Sequence, residues 1–236
     1  MEKVREKVLF ALQEVQRAVI GKQEVTETVM KAFLAGGHVL VEDIPGLGKT
    51  TMAIAFSRAI GLQKRRVQFT PDVLPSDLTG FTIYQKERNA FVYHPGAVVC
   101  NLLLADEINR TSPKTQSALL EAMEERSVTV DGETHPLPNP FICIATQNPI
   151  GTSGTQALPE SQMDRFMVRL SIGYPSDEDQ LKILRTRKYT NPLDNIQVVS
   201  GAENIVDIQN YLSTMTMSDE VLYYLIHLCE ATRQDA

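Results

Sequence analysis

The chain has 236 residues, room for one large domain or for a domain with a small appendage. Its 43% hydrophobic and 22% charged residues are an ordinary globular balance, and no apolar run approaches the ~20 residues that a membrane-spanning helix needs. A net charge of −6 and a pI near 5.3 argue against non-specific nucleic-acid binding, and the scattered Cys100, Cys143, Cys229, His38, His94, His135 and His227 argue against a disulfide framework or a zinc site.

Val4, Val8, Leu12 and Val15 share one helical face and predict a helix over residues 2–17. The segment is charged throughout, unlike a secretory signal, so a cytoplasmic location is expected. Gly21 interrupts, and residues 22–35 read as a second amphipathic helix closed by Gly36 and Gly37. His38–Glu42 predicts a buried strand, and Lys49–Ile60 a helix stopped by Gly61. Arg65–Phe69 is the next strand, and residues 71–80 begin as a loop. Phe81–His94 alternates about a polar centre and predicts a hairpin. Leu102–Glu107 belongs to a buried strand that stops in two acids. A helix over 113–125 starts at Pro113, and Arg126–Leu137 forms a second hairpin turning at Asp131–Gly132. Phe141–Asn148 and Arg165–Ile172 are strands, and Asp177–Lys188 is a helix. Beyond Pro192 the pattern is helical, over 203–213 and 218–233. Strands alternating with helices predict an α/β fold on a mainly parallel sheet, divided into residues 1–192 and a helical part over 193–236. The basic runs Lys64–Arg66 and Arg185–Lys188 read as solvated element ends, with a local contact left open for either.

The loop from Glu42 to Thr51 lies between a strand and a helix, the context that a phosphate loop requires. Backbone N–H groups and the helix N-terminus can wrap an anion there, and Gly46 and Gly48 allow the turn. Lys49 is expected to reach the β- and γ-phosphates, and Thr50 to ligate Mg²⁺. Asp43 stands where the strict motif has its first glycine. A carboxylate there is compatible with phosphates only if it points away. The acids after Leu102–Leu104 emerge at a strand's C-terminal end, where open α/β sheets bind ligands. Asp106 would hold Mg²⁺ through water, and Glu107 would orient and activate the attacking water. Asn148 ends the next apolar strand, where its amide can hold that water or touch the γ-phosphate.

Together these stretches resemble the MoxR family of AAA+ ATPases: GGHVLVEDIPGLGKTT, VQFTPDVLPSDLTG, LLLADEINRTSPKTQSALLEAMEER, FICIATQNPI and ALPESQMDRF, in matching order from about residue 19 to 185. The resemblance implies a P-loop core with five parallel strands between helices. Residues 81–94 would be a helix-2 insert and 126–137 a pre-sensor-1 hairpin. Lys49 and Thr50 become Walker A, Asp106 and Glu107 Walker B, and Asn148 sensor 1. Arg165 becomes an arginine finger acting on a neighbouring subunit. The expected nucleotide contacts are Ile20, Gly21, Asp43, Ile44, Pro45, Gly46, Leu47, Gly48, Lys49, Thr50 and Thr51, with ATP or ADP and Mg²⁺ as cofactors. The family's sensor-2 segment is absent from the sequence, so the helical lid is expected to be truncated. The resemblance further implies a ring, a hexamer by expectation. It also implies chaperone-like work on protein clients, including metal-cofactor insertion, with a von Willebrand factor A domain partner. A nucleic-acid-dependent motor and a non-hydrolysing, nucleotide-dependent scaffold are the alternatives.

Overall fold

The computed structural model describes residues 2–43, 46–148, 158–188, 191–199 and 201–234. In chain order its elements are α1 (Glu2–Ala18), α2 (Gln23–Leu34), β1 (Val39–Glu42), α3 (Lys49–Ile60), β2 (Lys64–Gln68), α4 (Pro75–Thr79), β3 (Gly80–Gln85), β4 (Ala90–Pro95) and β5 (Leu102–Asp106). A 3-10 turn (Ile108–Arg110) leads into α5 (Pro113–Glu125), β6 (Ser127–Val130), β7 (Glu133–Pro136), β8 (Ile142–Gln147), α6 (Glu160–Met163), β9 (Val168–Leu170) and α7 (Asp177–Arg187). A second 3-10 turn (Pro192–Asn195) precedes α8 (Ala202–Ser213) and α9 (Asp219–Gln234). No helix among the described residues is long and apolar enough to cross a membrane.

Five strands form one parallel sheet in the order β2-β5-β8-β1-β9, as the alternating pattern predicts. The strands β1, β5 and β8 are near-continuous apolar runs because both faces are covered. Their alternation divides the core in two. Val39, Val41, Leu102, Leu104, Ile142 and Ile144 pack with α1, α2 and α3 on one face. Leu40, Leu103, Ala105, Cys143 and Ala145 pack with Leu119, Leu120 and Met123 of α5 on the other.

Two expectations shift locally. The stretch 71–80 contains α4, because Pro75 sits in its first turn and the Asp77 carboxylate accepts the Leu74 N–H at 2.8 Å. The strand expected over 165–172 is only three residues long. Phe166 N bonds back to Met163 O at 3.0 Å in the turn that closes α6, and Ile172 N donates to the Asp43 carboxylate instead of to a neighbouring strand.

Both expected hairpins form, β3–β4 and β6–β7, the second turning through Asp131 and Gly132 at φ 51° and 84°. The Tyr93 ring stacks on His135 with centroids 3.8 Å apart and planes 4° from parallel, joining one hairpin to the other. At the C-terminal side, α8 buries Ile205 and Ile208, and Gln209 Nε2 donates to Phe33 O of α2 at 2.8 Å. Residues 215–233, which include most of α9, are exposed throughout.

His38, just ahead of β1, ties three elements. Its Nδ1 accepts from Cys143 N at 3.0 Å, so Nε2 carries the proton and donates to Met123 O at 3.1 Å. Burial lowers its pKa from 6.5 to about 4, against the Met123 hydrogen bond and with help from Arg126. The folded state therefore resists a proton that the unfolded chain accepts. Stability from this group is complete above pH 6.5 and is lost as pH falls towards 4, by about 3 kcal/mol. His38→Gln should remove that component. Urea unfolding of both proteins at pH 7 and pH 4.5 should show the wild type losing more stability on acidification. An equal loss in both would contradict the buried neutral imidazole.

Candidate functional site

The strands β5, β8 and β1 are neighbours, and their C-terminal ends bring Asp106–Glu107, Gln147–Asn148 and Glu42–Asp43 side by side. This is the crevice where open α/β sheets bind ligands. After Asp43 the chain turns towards α3. Ile44 and Pro45 lie outside the described residues. Gly46 and Gly48 adopt φ 94° and 88°, and a Cβ on either would meet nothing within 4 Å. Backbone conformation, not crowding, requires glycine at these positions. Gly48 caps α3 with no side-chain hydrogen bond, and the first turn carries no acid. The first amides of α3 thus have no side-chain cap, an arrangement that suits an anion.

Lys49 is buried, with Nζ 2.7 Å from Asp43 O. Burial lowers its pKa, opposed by the negative charges of Asp43, Asp106 and Glu107. The Asp43 carboxylate turns away from the loop. It accepts from Ser171 Oγ at 2.9 Å and from Ile172 N, so it serves the end of β9 while its carbonyl holds Lys49.

Asp106 accepts from Arg66 Nε of β2 at 2.7 Å and from Thr146 Oγ1 of β8 at 3.3 Å. Glu107 leaves the strand in the left-handed region, at φ 59°. Its N–H donates to Thr146 Oγ1 at 2.9 Å, and its Oε2 accepts from Arg110 Nη1 at 2.8 Å. Burial acts to raise the Glu107 pKa, but hydrogen bonds from Arg110 and Asn148 and the charges of Arg110 and Lys49 hold it below the usual carboxylate value. Asn148 is 7% exposed, and its Oδ1 has no hydrogen-bond partner among the described residues.

Several of these groups line two contiguous chambers, while Asp43, Arg110 and Asn148 stand outside both linings. A polar one of about 290 Å³ is lined by Gly46, Gly48, Lys49, Thr50, Thr51, Asp106 and Glu107, together with Arg66, Thr146 and Arg187. A more apolar one of about 350 Å³ shares Gly46, Gly48, Thr51 and Arg187, and adds Val19, Ile20, Leu47, Tyr174, Ile183 and Leu184. An apolar slot beside a cation-lined chamber suits a flat base joined to phosphates. Thr50 and Asp106 offer hard oxygen donors to the polar chamber. Among the described residues no group of three or more His, Cys, Asp or Glu could cage a metal. One carboxylate and one hydroxyl beside a phosphate site is the donor set that fits Mg²⁺.

Not every expected residue converges here. Gly21, at φ 75°, packs against Asp179 of α7 and does not line either chamber. Arg165 lies at the other end of the sheet. Met167 N bonds to His38 O, before β1, whereas Asp43 follows β1, a separation of about 16 Å along the strand. There Arg165 pairs with Glu124 of α5. Arg66, Thr146 and Arg187 were not singled out by the sequence. Arg66 and Arg187 belong to the two basic runs, whose open local contact is realised at the polar chamber. The signal for Arg66 was β alternation, which sets residues 64, 66 and 68 on one face.

Residues 38–168 match the model of the ATPase family associated with various cellular activities (AAA). The chain is 46% identical over 224 residues to the uncharacterized protein YeaC of Bacillus subtilis, covering 95% of this chain and 70% of that protein. It is 40% identical to chaperone MoxR1 of Mycobacterium tuberculosis, covering 95% of this chain and 59% of that one. The crystal structure of an ATPase candidate from Cytophaga hutchinsonii superposes with a TM-score of 0.88 at 38% identity, over 98% of this chain and 70% of the other.

The orientation of Asp43 is open to a direct check. Asp43→Ala should leave Ile172 N and Ser171 Oγ without their acceptor and destabilise the fold by about 1–3 kcal/mol in denaturant unfolding. ADP affinity measured by calorimetry should stay near wild type. A large affinity change at unchanged stability would place the carboxylate on the nucleotide instead.

Proposed function

The chain belongs to the MoxR family of AAA+ ATPases, and from that premise we propose that it binds and hydrolyses ATP with Mg²⁺ to drive chaperone-like remodelling of protein clients. The observation carrying this reading is that Lys49, Thr50, Asp106 and Glu107 line one polar chamber, continuous with an apolar one bordered by Ile20. In this reading the amides at the start of α3 and the Lys49 ammonium hold the β- and γ-phosphates. Thr50 and Asp106 hold Mg²⁺, which supplies charge neutralisation across the phosphates when bound. Glu107 orients the attacking water, and Asn148 secures it from β8 with the unsatisfied Oδ1. Arg165, remote from its own phosphate loop, is supplied to the next subunit of a ring, hexameric in this proposal. Residues 1–192 form the nucleotide-binding core, and 193–236 the helical part that follows it. A cytoplasmic setting, a von Willebrand factor A domain partner and a role in metal-cofactor insertion complete the proposal. They rest on the family likeness.

Lys49→Ala should weaken ADP binding by about 100-fold or more, since the buried cation faces a polyanion. Glu107→Gln should bind ATP normally and lose turnover by a factor on the order of 10²–10⁴, because an amide neither accepts a proton nor polarises water as a carboxylate does. Unchanged ADP affinity in the first variant, or wild-type turnover in the second, would sink the respective assignment. Arg165→Ala should retain binding and lose about 10³–10⁵ in rate. Mixing it with Glu107→Gln subunits should restore activity above either alone, because some interfaces then hold one intact acid and one intact finger. Mixed rings that stay inactive would remove Arg165 from a role between subunits.

A further inference from the structure

The acid and the asparagine assigned to the attacking water stand on different strands, and one short turn ties their ends together. Ile108 anchors that turn in the core, and Gln116 Nε2 of α5 donates to its carbonyl at 3.1 Å. Asn109, 2% exposed, grips the main chain of Asn148 twice. Its Nδ2 donates to Asn148 O at 3.2 Å, and its Oδ1 accepts from Asn148 N at 3.4 Å. Asn148 lies just past the end of β8, where ladder pairing has stopped, so the side chain of Asn109 stands in for a strand neighbour. The next residue, Arg110, holds Glu107 Oε2 at 2.8 Å. The Asn148 side chain also helps to hold the Glu107 pKa down. The links form one continuous path: Glu107 to Arg110, along the turn to Asn109, and across to Asn148.

We propose that Asn109 and Arg110 are positioning residues that fix Glu107 and Asn148 relative to each other, so that both address one water. Neither lines the phosphate chamber, which Glu107 borders, so they act through the residues they hold. A free glutamate side chain has three rotatable torsions, and Arg110 removes most of that freedom by engaging one oxygen. A free strand end would let Asn148 drift, and Asn109 pins it by both backbone groups. Misplacement of a catalytic group by about 1 Å can cost about 100-fold in rate.

The proposal rests on Glu107 being the water-orienting acid, and the test separates the two. Steady-state ATPase kinetics and ADP calorimetry would be run on the full chain carrying Arg110→Gln, Arg110→Lys, Asn109→Ala or Glu107→Gln. The expected result is a loss of kcat of about 10- to 100-fold in Arg110→Gln and Asn109→Ala, with KM and ADP affinity nearly unchanged. Arg110→Lys should recover most of the loss, and adding Arg110→Gln to Glu107→Gln should cost nothing further. Because Arg110 is partly exposed, its variants keep the test valid even if Asn109→Ala fails to fold. Inactive Glu107→Gln beside fully active Arg110 and Asn109 variants would overturn the positioning role alone. A proportional loss of kcat and ADP affinity in Arg110→Gln would also overturn it. Wild-type turnover in Glu107→Gln would overturn the parent reading, and the positioning role with it.

Discussion

The central strands of a parallel sheet covered on both faces have no place for a charge except at their ends. That constraint shapes this molecule. β5 and β8 are buried along their whole lengths, and β1 is buried up to Glu42. Polar side chains therefore appear together, where β1, β5 and β8 run out on the same side. The site needs no separate scaffold, since it is what remains when apolar strands of similar register stop.

The same crowding creates an electrostatic problem, because Glu42, Asp43, Asp106 and Glu107 emerge close together. Each is answered from a different element. Glu42 is met by Arg169 of β9 and by Gln147, Asp43 by Ser171 and Ile172, Asp106 by Arg66 of β2, and Glu107 by Arg110. Carboxylates taken partly out of water need such donors to replace the hydrogen bonds that water would have made. Lys49 is thereby left to a carbonyl and to the loop, not consumed as the counter-ion of one acid. The strand order matters for this arrangement, since β2 and β9 are the two edges and each contributes an arginine towards the centre.

The parts legible in the sequence were those written by local rules. Periodicity located the buried strands. Glycines marked the loop and the helix stop at Gly61, and Asp131–Gly132 marked a hairpin turn. The motif order pointed to the family before any coordinates. What stayed hidden depends on contacts distant in the chain. Arg66 looked like part of a solvated basic run because its partner Asp106 is forty residues away. Thr146 carried no motif, yet its hydroxyl accepts from Glu107 N and donates to Asp106. The shortness of β9 could not be foreseen, since it follows from a side chain, Asp43, taking the N–H that a strand would have offered.

The ring stack between Tyr93 and His135 has a mechanical consequence. Two parallel rings in van der Waals contact, with centroids 3.8 Å apart, resist separation because parting them would return both faces to water. One ring belongs to β4 and the other to β7, so the hairpins cannot open independently without breaking it. A displacement of one hairpin is thereby biased towards a matching displacement of the other. One arm carries Phe91, 75% exposed, near its tip, and the other is rooted through β6 at the end of α5, the helix that packs under the acid-bearing strand. Whatever binds at one tip therefore bears on the other hairpin as well as on its own root.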